Sequence, residues 1–96
     1  MKIIEEKDRF ALYNDVDQEI GEMTFIFVGE TMVINHTYVD SAYRGQKLAE
    51  QLVKAGVDKA RREHIKIYPT CPFAVKEFAR KAEYGDVYQD RLKLKP

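Results

Sequence analysis

The hydrophobic period of this chain turns from strand-like to helical at Arg44-Gly45, and that change limits the fold more than any other feature. Before it, apolar residues tend to alternate, the period of a strand; after it they recur three and four apart, the period of a helix. Thr31 to Val39 reads as an apolar strand running into a short polar turn, and an amphipathic helix starts near Gln46. Strand, glycine-containing turn and helix start together present backbone N–H groups that lack intrahelical partners, at the end where the helix dipole is positive. Arg44 and Lys47 add formal charge on either side of Gly45. The stretch from Val39 to Leu52 is therefore a candidate cradle for the pyrophosphate of a nucleotide-like cofactor.

Upstream, Ile3-Ile4 and Phe10 to Tyr13 form two short strands around the charged break Glu5 to Asp8, and Asn14, Asp15 and Asp17 mark a turn. Glu19 to Val28 alternates, with Met23, Phe25 and Phe27 on one face and Ile20, Thr24, Ile26 and Val28 on the other. Both faces are apolar toward its end, which predicts a central strand. Gly29-Glu30 is a two-residue hairpin turn. The next strand places Val33, Asn35, Thr37 and Val39 on one face and Met32, Ile34, His36 and Tyr38 on the other. These strands make an antiparallel meander.

Downstream, Leu48, Leu52 and Gly56 form one helical row and Ala49, Val53, Val57 and Ala60 the next. Glu50 with Lys54, and Asp58 with Arg62, have the spacing of i,i+4 ion pairs. A glycine at Gly56 costs about 1 kcal/mol against alanine, so close packing is expected there. Arg61, Arg62 and His64 suit the negative end of the helix dipole. Ile65 to Tyr68 is a short strand ended by Pro69, and a helix between two strands implies a parallel crossover. Pro72 opens a second helix, with Ala74, Phe78 and Ala82 against Val75 and Ala79, closed by Tyr84-Gly85. Arg91 to Pro96 reads as a loose tail with a few basic residues.

A chain of 96 residues predicts one domain spanning 1–96. Sixteen basic residues balance sixteen acidic ones, which argues against a surface built for nucleic acid. The lone cysteine allows no internal disulfide and fits a reducing compartment. No apolar run is long enough to span a membrane, and the first residues are charged. The expectation is a soluble cytoplasmic monomer that binds neither membrane nor nucleic acid. No cluster of Cys and His has metal-ligand spacing.

H-T-Y-V at 36–39, R-G-Q-K-L-A at 44–49 and P-T-C-P-F at 69–73 resemble the smallest members of the GNAT superfamily of N-acetyltransferases, the short type with a cysteine after the last core strand. The resemblance covers about Glu19 to Tyr88. The family binds acetyl-CoA through a turn written Gln/Arg-x-x-Gly-x-Gly/Ala; Arg44 fits its first position and Ala49 its last, while Lys47 stands where glycine is usual. The resemblance implies an α+β fold: a compact GNAT-like mixed sheet, with an antiparallel N-terminal meander followed by strand, helix, strand, helix. The strand ending at Val39 and the strand Ile65 to Tyr68 would splay apart, and pantetheine would pair with the open edge near Tyr38 and Val39 as an added strand. Arg44, Gly45, Gln46, Lys47, Leu48 and Ala49 would hold the pyrophosphate, and Phe73 and Phe78 are candidates to line pantetheine or adenine. The chain is too short for the family's additional helices and strands. Its acceptor side is therefore expected to be open, suiting a protein, peptide or polyamine amine.

Two residues carry candidate chemistry, Cys71 and His36. A lone intracellular cysteine is commonly an inert small hydrophobe, but a helix N-terminus favours a thiolate, and Cys71 sits at one. A strand histidine is commonly structural. Members of the family often draw a general base from this strand, commonly a carboxylate; here the resemblance offers a histidine instead, and an imidazole titrates in the physiological range. His36 is thus a candidate base toward the amine or a partner of Cys71. Tyr84 and Tyr88 match no motif, and packing is the simpler reading for them. The expected activity is acetyl transfer from acetyl-CoA to an amine, directly or through Cys71. The alternatives are a CoA-binding module without turnover and a protein-interaction domain.

Overall fold

The structure is a computed structural model and describes residues 1–92; residues 93–96, most of the expected tail, lie outside the described residues. The alternating segments form β1 (Lys2–Glu5), β2 (Arg9–Tyr13), β3 (Glu19–Val28) and β4 (Thr31–Val39), followed by α1 (Leu48–Glu63), β5 (Lys66–Pro69) and α2 (Pro72–Arg80). They build a five-stranded sheet in the order β1-β2-β3-β4-β5, antiparallel except for the parallel β4–β5 pair. β3 is the central strand, and α1 is the crossover that a parallel pair requires. The mixed-sheet α+β fold implied by the sequence is the one found. No helix among the described residues is long and apolar enough to cross a membrane.

One hydrophobic cluster joins the sheet to both helices. Met23, Phe25, Met32, Ile34 and Ile67 meet Leu52, Val53 and Val57 of α1, all 2% exposed or less. Full burial of such side chains contributes about 1.5–3 kcal/mol each. The close packing expected at Gly56 is present: a Cβ there would stand 2.8 Å from Met23 Cε. The opposite face of the sheet is open, with Ile26, His36 and Tyr38 exposed.

Two bulges correct the faces read from simple alternation. Between β2 and β3 the register slips from Leu12–Gly21 to Tyr13–Glu19, and Ile20, expected beside Thr24, packs into the core instead. Between β3 and β4, Thr24 pairs with His36 but Phe25 pairs with Ile34, so Asn35 is the extra residue. An extra residue inverts the side-chain alternation beyond it. Thr37 and Val39 therefore share the core face with Ile34, while His36 turns to the open face.

Smaller differences have local causes. α1 starts at Leu48 rather than near Gln46, because Lys47 adopts a left-handed conformation (φ 58°, ψ 33°) that cannot continue inside a right-handed helix. β5 runs one residue later than expected and includes Pro69, opposite Ile34. α2 ends at Arg80, so Ala82 lies in the separate 3-10 turn Ala82–Tyr84, and Val75, expected in the core, is 46% exposed. The ion pairs also differ from the i,i+4 expectation. Lys54 pairs with Asp58 at 2.7 Å, and Arg62 reaches Glu5 of β1 at 2.7 Å.

Candidate active site

β4 and β5 pair only from Thr31–Lys66 to Ile34–Pro69. There the chain after β5 turns away: Thr70 and Cys71 both donate backbone N–H to the Ile34 carbonyl, at 2.9 and 3.2 Å, and Thr70 Oγ1 adds a third donor at 3.1 Å. Beyond Ile34, β4 continues through Asn35 to Val39 with β3 on one side and no strand on the other. The expected splay is present, and its apex is the crowded Ile34 carbonyl.

Cys71 stands at this apex. It is the N-cap of α2, 7% exposed, and its Sγ accepts from the Ala74 N–H at 3.4 Å. Thr37 Oγ1 lies 3.3 Å from the same sulfur, brought there by the bulge at Asn35. Pro72 follows as the first helical residue, where a missing N–H costs nothing.

His36 faces the other way. Its Nε2 lies 3.6 Å from Glu22 Oε2 on the open face of the sheet. Glu22 is itself held, its Oε1 accepting from Arg9 Nη1 at 3.1 Å. Arg9 also binds Glu19 in a fork at 2.8 and 2.9 Å, and Glu6 at 2.8 Å. The hydrogen bonds that Arg9 donates to Glu19, Glu6 and Glu22 hold its guanidinium well above its ordinary pKa, and Arg9 in turn lowers that of Glu19. His36 and Cys71 are therefore placed on opposite faces of one opening. The expected partnership between them is corrected: Thr37 is the neighbour of Cys71, and Glu22 that of His36. Neither Thr37 nor Glu22 stood out in the sequence, because only the bulge determines which side each neighbour faces.

The turn after β4 gives the second half of the site. Asp40 caps the short 3-10 turn Ser41–Tyr43, its Oδ1 accepting from the Ala42 N–H at 2.9 Å. Gly45 (φ +86°) and Lys47 (φ 58°) are both left-handed. The backbone N–H groups from Gly45 to Glu50 have no acceptor among the described residues; the first satisfied one is Gln51 N–H, on the Lys47 carbonyl at 3.3 Å. Arg44, Gly45, Gln46 and Lys47 are exposed around this row, Leu48 is buried beneath it and Ala49 half-buried. Consecutive free amides at the start of a sixteen-residue helix, with two cations beside them, suit a phosphate group.

The remaining candidates are distributed as follows. Tyr38 is exposed on the open face and Val39 half-buried on the core face, both on the unpaired stretch of β4. Phe73 packs partly buried against the core, and Phe78 is buried between Tyr84 and Tyr88, with ring centroids 5.5 and 5.7 Å away. Neither phenylalanine lines the groove beside the turn. The cavity of about 420 Å³ at the far end of α1 is lined by the Arg61–Asp86 ion pair, 2.9 Å, and lies away from the opening. Among the described residues no group of His, Cys, Asp and Glu is arranged to hold a metal ion.

Residues 9–87 match the family model of the GCN5-related N-acetyl-transferases. This chain belongs to that family. The zebrafish protein NATD1 is 31% identical over 64 residues, 66% of this chain and 58% of the NATD1 length. The match thus spans little more than half of that curated relative. The solution structure of a GCN5-like protein from Staphylococcus aureus superimposes with a TM-score of 0.76 at 31% identity, covering 92% of this chain and 87% of that one. The Mycobacterium tuberculosis protein Rv2747, solved in complex with CoA and NLQ, shares the fold at a TM-score of 0.65 and 17% identity, covering 77% of this chain and 46% of its own.

Proposed function

We propose that this protein transfers an acetyl group from acetyl-CoA to an amine, and that the amine attacks the thioester directly from the open face of the sheet. The observation that carries this reading is the unpaired stretch of β4, Asn35–Val39, opening beside the free amides of Gly45–Glu50. The first suits the amide-bearing pantetheine arm as an added strand. The second, with the Arg44 guanidinium, suits the pyrophosphate. The CoA bound to the M. tuberculosis protein supports the same ligand here. Lys47 takes the left-handed conformation that glycine would take without strain, so the departure from the family's turn need not change its backbone path.

In the direct route the amine nitrogen attacks the thioester carbonyl carbon, and its proton passes to His36 Nε2. The carbon–sulfur bond then breaks, and the CoA sulfur leaves as thiolate and takes up a proton. Glu22, anchored by Arg9, orients the imidazole. The acceptor is a protein or peptide amine or a polyamine, because the face that His36 occupies is uncovered. The same reading places the protein in the cytoplasm as a monomer, where a lone thiol stays reduced.

A second route is motivated by Cys71 at the apex. Its sulfur would take the acetyl group and release CoA thiol, and the amine would then remove acetyl from the thioester of Cys71. His36 lies across the sheet from that sulfur, which favours the direct route. The test is CoA release with a panel of amines, for wild type, Cys71→Ala and His36→Ala. Direct transfer predicts that Cys71→Ala keeps most activity, while His36→Ala lowers kcat about 10²-fold or more and removes a limb of the pH–rate profile. Loss of activity in Cys71→Ala, with a trapped acetyl-cysteine in the wild type, establishes the covalent route. Acetyl-CoA binding without CoA release from any amine would make the protein a binding module.

A further inference from the structure

The family turn carries glycine where this chain carries Lys47, so the lysine side chain is an addition to the cradle rather than a part of it. Its ammonium joins an open groove of about 340 Å³ between the first turns of α1 and the segment after α2, lined by Lys47, Gln51, Lys54, Lys81 and Tyr84, with Glu50 as the single carboxylate. Lys47, Gln51 and Lys54 are spaced i, i+4 and i+7, one face of the helix, so the row begins at the turn and runs about 10 Å along α1. Lys81 faces it from the other side.

The partners of these lysines differ. Lys47 has no carboxylate partner among the described residues. Lys54 holds only exposed Asp58, a pair that competes weakly with a doubly charged phosphate. Lys81 lies 2.9 Å from buried Glu77 Oε1 and is fixed by it, its pKa raised by that carboxylate. Tyr84, 3% exposed, closes the floor beneath.

Given acetyl-CoA as ligand, the reading on which this rests, the free amides take the pyrophosphate and leave one more anionic group, the 3′-phosphate on the ribose. We infer that the Lys47–Lys54–Lys81 groove binds the 3′-phosphate of CoA, and that Lys47 makes this protein selective for CoA over 3′-dephospho-CoA. The two ligands are otherwise identical, so their affinity ratio isolates this contact. Lys47→Gly is a clean probe, because glycine accepts the left-handed backbone and only the ammonium is lost.

The experiment is titration calorimetry of CoA and of 3′-dephospho-CoA into wild type, Lys47→Gly and Lys54→Gln, each first shown to unfold cooperatively. The expected wild-type preference for CoA is about ten-fold or more, falling with salt, as a charge-assisted contact requires. Each variant should reduce that preference at least about three-fold by weakening CoA, with dephospho-CoA held within about two-fold. Lys47→Gly should melt no lower than wild type. Equal wild-type affinities would overturn the inference and leave acetyl-CoA as ligand intact. A ratio unmoved by both variants, or both ligands weakened equally by Lys47→Gly, would also overturn it and assign Lys47 to the pyrophosphate. If neither ligand binds wild type, the acetyl-CoA reading falls too.

Discussion

The two ends of α1 adopt the same unusual backbone and use it oppositely. Lys47 at the start and His64 at the end are both left-handed, at φ 58° and 57°. At the end, the conformation folds the next amides back: Ile65 N–H reaches the Ala60 carbonyl at 3.0 Å, and the His64 N–H is satisfied as well. This is how a helix commonly stops. Cross-element ion pairs then lock that end, Arg61 to Asp86 and both Lys59 and Arg62 to Glu5. At the start, the conformation precedes amides that bond to nothing. One end of the helix is closed by its own fold; the other is left for a ligand to complete. Gly45, Gln46 and Lys47 at the head of this row are exposed to water, and an unsatisfied donor there becomes strong only when an anion arrives.

The largest perturbation should erase the contrast by removing the helix that both ends share. Leu52 is fully buried between them, so Leu52→Ala should destabilise the fold by about 2–5 kcal/mol. Urea unfolding would measure it. A loss below about 1 kcal/mol would mean that α1 is not held to the sheet as described.

A narrower break acts behind the open end alone. A Cβ on Gly21 would stand 2.7 Å from the Tyr38 carbonyl oxygen, backbone that cannot swing aside as a side-chain tip can. Gly21→Ala should cost about 1–3 kcal/mol by forcing β3 from β4. It should also reduce the stabilisation that acetyl-CoA confers in a thermal melt, because Tyr38 belongs to the unpaired edge. Normal stabilisation by the ligand in a destabilised variant would separate the edge from the binding site.

The comparison sharpens with a matched pair. Lys47→Gly and His64→Gly each remove left-handed strain from a non-glycine residue, and each should change stability by about +1 kcal/mol or less, the added chain entropy of glycine offsetting part of the gain. Only Lys47→Gly should weaken CoA. Equal effects of both variants on affinity would show that the difference between the ends is one of backbone alone.

How far the sequence reveals this follows from the range of each interaction. The strands, the Gly29-Glu30 hairpin, the rows of α1 and the crowding at Gly56 are set by neighbours in sequence, and all could be read from it. The bulge at Asn35 could not, since a single unpaired residue leaves no trace in the composition of H-T-Y-V. Yet it decides that Thr37 rather than His36 meets Cys71. The pairs Glu50–Lys54 and Asp58–Arg62 failed for a similar reason: the i,i+4 spacing is local, but Glu5 on β1 offers Arg62 a tertiary partner, and Asp58 is taken by Lys54. Lys47 is the intermediate case. Its departure from glycine is visible in the sequence, its left-handed conformation only in the fold.

The smallest effect tests the closed end through pH. Glu5 has its carboxyl held below its ordinary value of 4.5, chiefly by the hydrogen bond from Lys59 and further by the charges of Lys59 and Arg62, against the opposing effect of burial. For Lys59 burial pulls the pKa down, but the hydrogen bonds to Glu5 and Glu63 together outweigh it and the net shift is upward. A lowered carboxyl adds stability that is complete above its unfolded pKa and disappears as pH falls through the folded one. Glu5→Gln should therefore cost about 0.5 kcal/mol at pH 7, a modest figure because Glu5 is more than a third exposed. The gap should start to shrink as pH falls below the ordinary carboxyl value of 4.5, vanish once pH has passed through the lowered folded value, and persist well above neutrality, since Lys59 remains charged until pH rises through its raised value. Urea midpoints for wild type and Glu5→Gln from pH 3 to 8 would show it. A gap that stays constant across that range would mean that Glu5 holds β1 to α1 by shape, and that the closed end owes nothing to charge.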